Sequence, residues 1–227
     1  MTERRDRLYQ QICAELGYPR RDDRLARDHL ARRIGVAAPM PDLRDATVMI
    51  CGAGPSLTDE LDRLDQADAI VTASTATDVV ISAGYPIGLM VTDLDKNPET
   101  AARLTTEGVP VAIHAHGDNL GLLRRWLPRC DPRWVVPTTQ AEPAGGVTNP
   151  GGFTDGDRAA YLADGAGAAT LEFVGWDLDD PAVDAEKRRK LQWAAVALLL
   201  LGAERGEEYG WIDATEPAIA TRWARVR

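Results

Sequence analysis

The chain opens with apolar residues at helical spacing. Leu8, Ile12 and Leu16 recur at i, i+4 and i+8, and after a break at Pro19 the rhythm resumes at Leu25, Leu30 and Ile34. Pro39 and Pro41 close this stretch, so residues 1–45 are expected to form a helical N-terminal lead-in packed on the main domain. From residue 46 the period changes. Short β-branched or apolar runs appear at Thr47–Cys51, Ala69–Thr72, Ile87–Val91, Val109–Ile113, Trp134–Pro137 and Thr170–Val174. Helix-like stretches separate them: Leu57/Leu61/Leu64, Val79–Ala83, Thr100–Leu104 and Leu120–Leu127. Strand and helix in alternation predict one α/β domain over residues 46–227, a doubly wound, mostly parallel sheet with covering helices in three layers, Rossmann-like in kind. The longest apolar run, Trp193 to Leu201, falls short of the ~20 residues of a membrane span and predicts a buried helix.

The residues that follow each run carry the chemistry. Gly52-Ala-Gly54-Pro55-Ser56 follows the first and Thr92-Asp93-Leu-Asp95 the third. His114-Ala-His116-Gly-Asp118-Asn119 follows the fourth, Thr138-Thr139-Gln140 the fifth, and Gly175-Trp-Asp177 the sixth. Ligands of an open α/β sheet sit beyond the carboxyl ends of its strands, so these clusters are expected along one edge.

Composition narrows the partners. A net charge of −9 argues against nucleic acid, whose phosphates require clustered cations. Only three of the 26 basic residues are lysines, Lys96, Lys187 and Lys190, which singles each of them out. The three cysteines are widely spaced without a CxxC pair, which argues against disulfides and structural zinc. The charged N-terminus does not read as a signal peptide, and the expectation is a cytoplasmic protein off the membrane.

Each motif has a chemical reading beside a plainer one. The glycine turn at Gly52 and Gly54, with Pro55 and Ser56, could face backbone N–H groups toward a phosphate, or could be a tight turn alone. It lacks the third glycine of a dinucleotide fingerprint, and Ser74 stands where an acid would hold a ribose, which disfavours NAD. Asp93 and Asp95, two apart on a chain expected to stay extended, would point the same way and repel unless a divalent cation joined them. Oxygen ligands suit Mg²⁺, with Asp118 as a further ligand. The His114/His116 segment lacks the ligands of a closed zinc site. Gly151-Gly-Phe-Thr154-Asp155-Gly-Asp157-Arg158 reads either as a capping box or as acids with an arginine that grips phosphate. Lys187 and Lys190 share one face of the last long helix, as a solvated face or as phosphate ligands.

Taken together, GAGPSL at 52–57, VTDLD at 91–95, HAHGDN at 114–119, TTQ at 138–140, GGFTDGDRA at 151–159 and KRRKL at 187–191 resemble the archaeal 6-hydroxymethyl-7,8-dihydropterin pyrophosphokinase family. That family is itself similar to the catalytic domain of thiamine pyrophosphokinases. The resemblance implies Mg²⁺, ATP as donor, AMP as product and a folate or methanopterin-type pathway. Gly52, Gly54, Pro55 and Ser56 with Thr138, Thr139 and Gln140 would serve the nucleotide; Asp118, Asp155, Asp157, Arg158, Lys187 and Lys190 would serve catalysis. The chain departs from the family at Ala73-Ser74-Thr75-Ala76, where Asp-Gly-Ala is typical, and at Lys96, where glycine is common. The first change touches the rim of the expected pocket.

The leading expectation is thus in-line transfer of pyrophosphate from ATP to a small hydroxymethyl acceptor, the pterin or another alcohol. A metal-dependent hydrolase centred on HAHGDN and a non-catalytic nucleotide-binding module are the alternatives. By analogy with related folds, a homodimer is the expected assembly, if any.

Overall fold

The computed structural model describes residues 2–35 and 38–227. Met1, Val36 and Ala37 of the expected lead-in lie outside the described residues. The chain builds a six-stranded, wholly parallel sheet of β1 (Thr47–Cys51), β2 (Ala69–Ala73), β3 (Leu89–Thr92), β4 (Val111–Ala115), β5 (Val135–Thr139) and β6 (Thr170–Val174), in the order β5-β4-β3-β2-β1-β6. Strands β2 to β5 are buried on both faces from end to end or nearly so, which is why their sequences read as continuous apolar runs rather than alternations.

Parallel strands need crossover connections, and these place the layers. Moving stepwise from β1 to β5, the chain lays a 3₁₀ segment (Pro55–Gln66), then α3 (Ala76–Ser82), α4 (Pro98–Thr106) and α5 (Leu120–Trp126), on one face. It then recrosses the whole sheet to β6 through α6 (Asp155–Gly165), which lies on the other face against β1, β2 and β3. Helices α7 (Ala185–Arg205) and α8 (Pro217–Val226) complete that layer; the run Trp193–Leu201 is almost wholly buried within α7. Each such leucine removed from water contributes about 1.5–3 kcal/mol. The N-terminal helices divide between the faces. Helix α1 (Glu3–Leu16) packs against α7 and α8, while α2 (Arg20–Ile34) packs against β4, β5 and α5. No described helix is long and apolar enough to cross a membrane.

Three local expectations are corrected. Strands β3, β4 and β5 extend one or two residues beyond their predicted ends, so His114, Thr138 and Thr139 sit inside strands, their polar atoms bonded to neighbours. Leu25 is 49% exposed; the buried stripe of α2 is Asp23, Ala26, Leu30 and Ile34, an acid standing where the pattern suggested a leucine. The Leu57/Leu61/Leu64 stretch is a succession of 3₁₀ turns, with Leu57 and Leu64 turned into the core.

Candidate active site

The break in strand order falls between β1 and β6, where the chain reverses its progress across the sheet, and such a switch point opens a crevice at the carboxyl ends. A cleft of about 520 Å³ runs from there along the whole edge. From β5 to β6 it meets Gln140, then His114 and Asp118, then Asp93 and Asp95, then Ser74 and Thr75, then Gly52 and Gly54, and last Trp176 and Asp177. Asp155 and Arg158 reach it from the start of α6, and Lys187 and Lys190 from α7.

The acidic centre is built by a kink rather than by an extended strand. Beyond Thr92 the chain turns: Thr92 Oγ1 accepts the Leu94 N–H at 2.9 Å and Asp93 Oδ1 accepts the Asp95 N–H at 3.0 Å. Leu94 adopts φ of 71°, a conformation that costs a β-carbon-bearing residue about 1 kcal/mol or more, and its complete burial offsets that strain. The bend brings the two carboxylates close enough for the charge of one to act on the ionisation of the other. Burial works to raise the Asp93 pKa, yet hydrogen bonds from His116 and Asp95 hold it at about 2; His116 Nε2 lies 3.3 Å from Asp93 Oδ2. Asp95 is pushed up by burial and by the charge of Asp93. Asp155 is pushed well above the usual carboxylate range, first by burial and then by the negative charge of Asp93. Three acids from two distant segments therefore oppose one another at one place. Among the described residues no three His, Cys, Asp or Glu side chains gather tightly enough to enclose a metal alone. Carboxylates that repel one another, with room for further oxygen ligands, fit a hard dication completed by substrate or water.

The cations converge on the same cleft. Lys96, Lys187 and Lys190, all the lysines of the chain, line it. Lys96 Nζ lies 3.4 Å from Asp95, and Lys190 pairs with Glu186 at 2.8 Å.

Other predicted residues have different surroundings. Asp157 completes a capping box at the start of α6, accepting the Thr154 N–H at 2.7 Å, the Phe153 N–H at 2.5 Å and the Thr154 hydroxyl. Buried Arg158 donates to the carbonyls of Gly151 (3.1 Å) and Phe153 (2.8 Å), bracing the loop from beneath; its Nε has no partner among the described residues. Both residues thus hold Asp155 in place, while Asp155 itself faces Asp93. Asp118 is exposed at the rim. Thr138 and Thr139 direct their hydroxyls to the Ile113 and Ala115 carbonyls, and of the three residues only Gln140 lines the cleft. His114 has its ring nitrogens 3.1 Å from Thr138 Oγ1 and 3.4 Å from Gln140 Oε1, and burial pushes its pKa well down.

The glycine turn is also engaged. Gly52 N–H donates to Val174 and Gly54 N–H to Gly175, each at 2.9 Å, tying β1 to β6. The Ser56 N–H and hydroxyl both donate to Asp177 Oδ2, at 2.9 and 2.8 Å. A Cβ at position 52 would stand 2.4 Å from the Gly175 carbonyl, and one at 54 only 2.2 Å from Asp177 Oδ2, so both glycines are required by close approach.

Two cleft residues stand outside the predicted site: Asp177, which the motifs place only at a strand end, and Asp23, which together with Asp22 and Leu30 belongs to the family-like lead-in without a predicted role. Asp23, 3% exposed, accepts hydrogen bonds from the Gly117 N–H at 2.8 Å, from Gln140 Nε2 at 2.9 Å and from the Tyr9 hydroxyl, joining both N-terminal helices to the loops after β4 and β5. Its signal was available: an acid in register with Ala26, Leu30 and Ile34 on the buried stripe of α2.

Residues 32–182 match the model of a family described as "6-hydroxymethylpterin diphosphokinase MptE-like". Three proteins named 6-hydroxymethyl-7,8-dihydropterin pyrophosphokinase are similar to the chain. That of Methanothermobacter thermautotrophicus is 34% identical over 214 residues, covering 83% of this chain and 90% of its own. That of Pyrococcus furiosus is 35% identical over 177 residues, 75% of each chain. That of Methanocaldococcus jannaschii is 30% identical over 138 residues, 55% of this chain and 57% of its own. Among solved structures, the MAf glycosyltransferase from Magnetospirillum magneticum aligns with 93% of this chain and 42% of its own, with a TM-score of 0.48 and 18% identity.

Proposed function

The chain belongs to the 6-hydroxymethylpterin diphosphokinase MptE-like family, and from that premise we propose that it transfers a pyrophosphoryl group from ATP to 6-hydroxymethyl-7,8-dihydropterin in an Mg²⁺-dependent reaction. One observation carries this reading: three mutually repelling aspartates and every lysine of the chain border a single cleft at the carboxyl edge of the sheet. Phosphoryl chemistry needs that combination, because the protein's task is to position reactants and neutralise charge rather than to form covalent bonds.

The acceptor hydroxyl oxygen attacks the β-phosphorus of ATP, the bond from that phosphorus to the oxygen bridging to the α-phosphorus breaks, and AMP leaves with that oxygen while the hydroxyl proton passes to water. Asp93 and Asp95 would hold the cation, with the Asp155 carboxylate facing them, and the cation would supply neutralisation of phosphate charge. His116 orients Asp93 and keeps it ionised. Lys187 and Lys190 draw the polyphosphate into the cleft and oppose the charge that develops on AMP. Arg158 and Asp157 fix the loop that presents Asp155. Asp118 and Gln140, toward the β4–β5 end, face the acceptor.

The test is AMP formation by the purified protein with ATP, Mg²⁺ and the pterin alcohol, followed across a panel that includes thiamine and simple alcohols. AMP dependent on the pterin supports the proposal. AMP with another alcohol only would overturn the acceptor, and no AMP with any would overturn the reaction. The hydrolase alternative finds less support, since His114 is buried with both ring nitrogens engaged.

A further inference from the structure

The turn at Gly52–Ser56 resembles a phosphate cradle in sequence, yet most of its donors face inward, the Ala53 N–H excepted. The N–H groups of Gly52 and Gly54 bind carbonyls of the β6 end, Pro55 has none, and Ser56 gives both its donors to Asp177. A phosphate placed there would find few donors, and it would meet the carboxylates of Asp177 and Asp180 on the cleft wall. The turn does something else: it seats the Asp177 carboxylate over the β1–β6 crevice. One oxygen is pinned by two hydrogen bonds, and Oδ1 has no partner among the described residues. Glycine at 54 is what allows the carboxylate to lie against the backbone.

We propose that Asp177 is the ribose-recognising residue of the donor site, accepting hydrogen bonds from the vicinal hydroxyls of the nucleotide. A carboxylate is acceptor-only, so its free oxygen selects donors, and the vicinal sugar hydroxyls are an adjacent pair of donors that a nucleotide can present at a switch-point crevice. The assignment also sets the direction of the donor along the cleft. Three strand spacings separate β6 from β3, about 14 Å at ~4.8 Å each. A nucleotide with its sugar at Asp177 extends its phosphates across Ser74 and Thr75 to Asp93 and Asp95, leaving the β4–β5 end beside Asp118 and Gln140 to the acceptor. This rests on the donor being a nucleotide, as proposed above.

The experiment compares ATP, 2′-deoxyATP and 3′-deoxyATP by equilibrium binding and by AMP or deoxyAMP release, in the full chain, in Asp177→Asn and in Ser56→Ala. Asparagine keeps an oxygen for Ser56 and replaces the free acceptor with an amide. The wild-type chain is expected to prefer ATP over one or both deoxynucleotides by about tenfold or more, the range of a hydrogen bond to a charged group. Asp177→Asn is expected to reduce that preference to about twofold with the acceptor KM unchanged, and Ser56→Ala to reduce it partway. Equal binding of all three nucleotides by the wild type, or an unaltered preference in a folded Asp177→Asn, overturns the assignment even where AMP is formed. Ribose-selective binding without AMP leaves the subsite standing and removes the transfer reaction; no binding of ATP removes both.

Discussion

Two turns at the carboxyl edge look alike in sequence and differ in physics. The β1 turn, Gly52–Ser56, and the β3 turn, Asp93–Asp95, each follow a buried strand and each read as ligand sites. At the β1 turn nearly every donor has an internal partner: backbone carbonyls take Gly52 and Gly54, and Asp177 takes Ser56. At the β3 turn a leucine is held in a left-handed conformation and like charges are pressed together. Satisfied groups mark architecture, whereas strain and crowded like charges mark a place completed by something outside the chain.

Substitutions can break or sharpen that contrast. The largest effect is expected at the β3 turn: Asp93→Asn should lower the rate of AMP formation by at least about 10²-fold, the scale of losing a group that stabilises transition-state charge, with little change in the unfolding midpoint. Unimpaired turnover would remove the acidic centre from the mechanism. At the β1 turn the effect should be on folding. Gly52→Ala drives a methyl against the Gly175 carbonyl and should lower stability by about 3 kcal/mol, read as a loss of roughly 6–12 °C in Tm.

The same contrast recurs within one loop. Asp157 has three donors bonded to it, so Asp157→Ala should cost about 2 kcal/mol and roughly 4–8 °C by thermal denaturation. Asp155, two residues earlier, should behave oppositely. Its folded-state pKa lies well above that of the unfolded chain, so the native state binds the extra proton between the two values and loses stability as pH rises through that window. Asp155→Asn should therefore raise the Tm of the metal-free protein at pH 7 by about 2 °C or more while suppressing AMP formation, and the gain should fade near pH 4. A destabilised Asp155→Asn would show the carboxylate to be held by contacts other than those described.

Much of this was legible from the residues alone. The first and last strands lie where the apolar runs put them, and β2 extends one residue past its predicted end. Asp93 and Asp95, which follow a strand, Asp155, from the glycine-rich segment 151–158, and the three lysines, singled out by their rarity, meet in one cleft. What escaped was the state of each group once there. Thr138 and Thr139 looked like cleft residues because they follow an apolar run, yet β5 continues through them and their hydroxyls bond across the sheet. Asp157 and Asp155 read alike as acids beside a phosphate-gripping Arg158, and only the folded loop shows Asp157 and Arg158 bound to its own backbone.

The alternation of buried and helical segments is a local property, written in the spacing of side chains a few residues apart, and so the parallel sheet, its covering layers and the edge that carries the polar clusters follow from the order of residues. Whether a polar group is free or engaged depends on partners far along the chain: Ser56 meets Asp177 across 121 residues, and Gln140 meets Asp23 across 117. Those pairings exist only when the strands are laid side by side, because a hydrogen bond acts over about 3 Å of space and is indifferent to the length of chain between its ends.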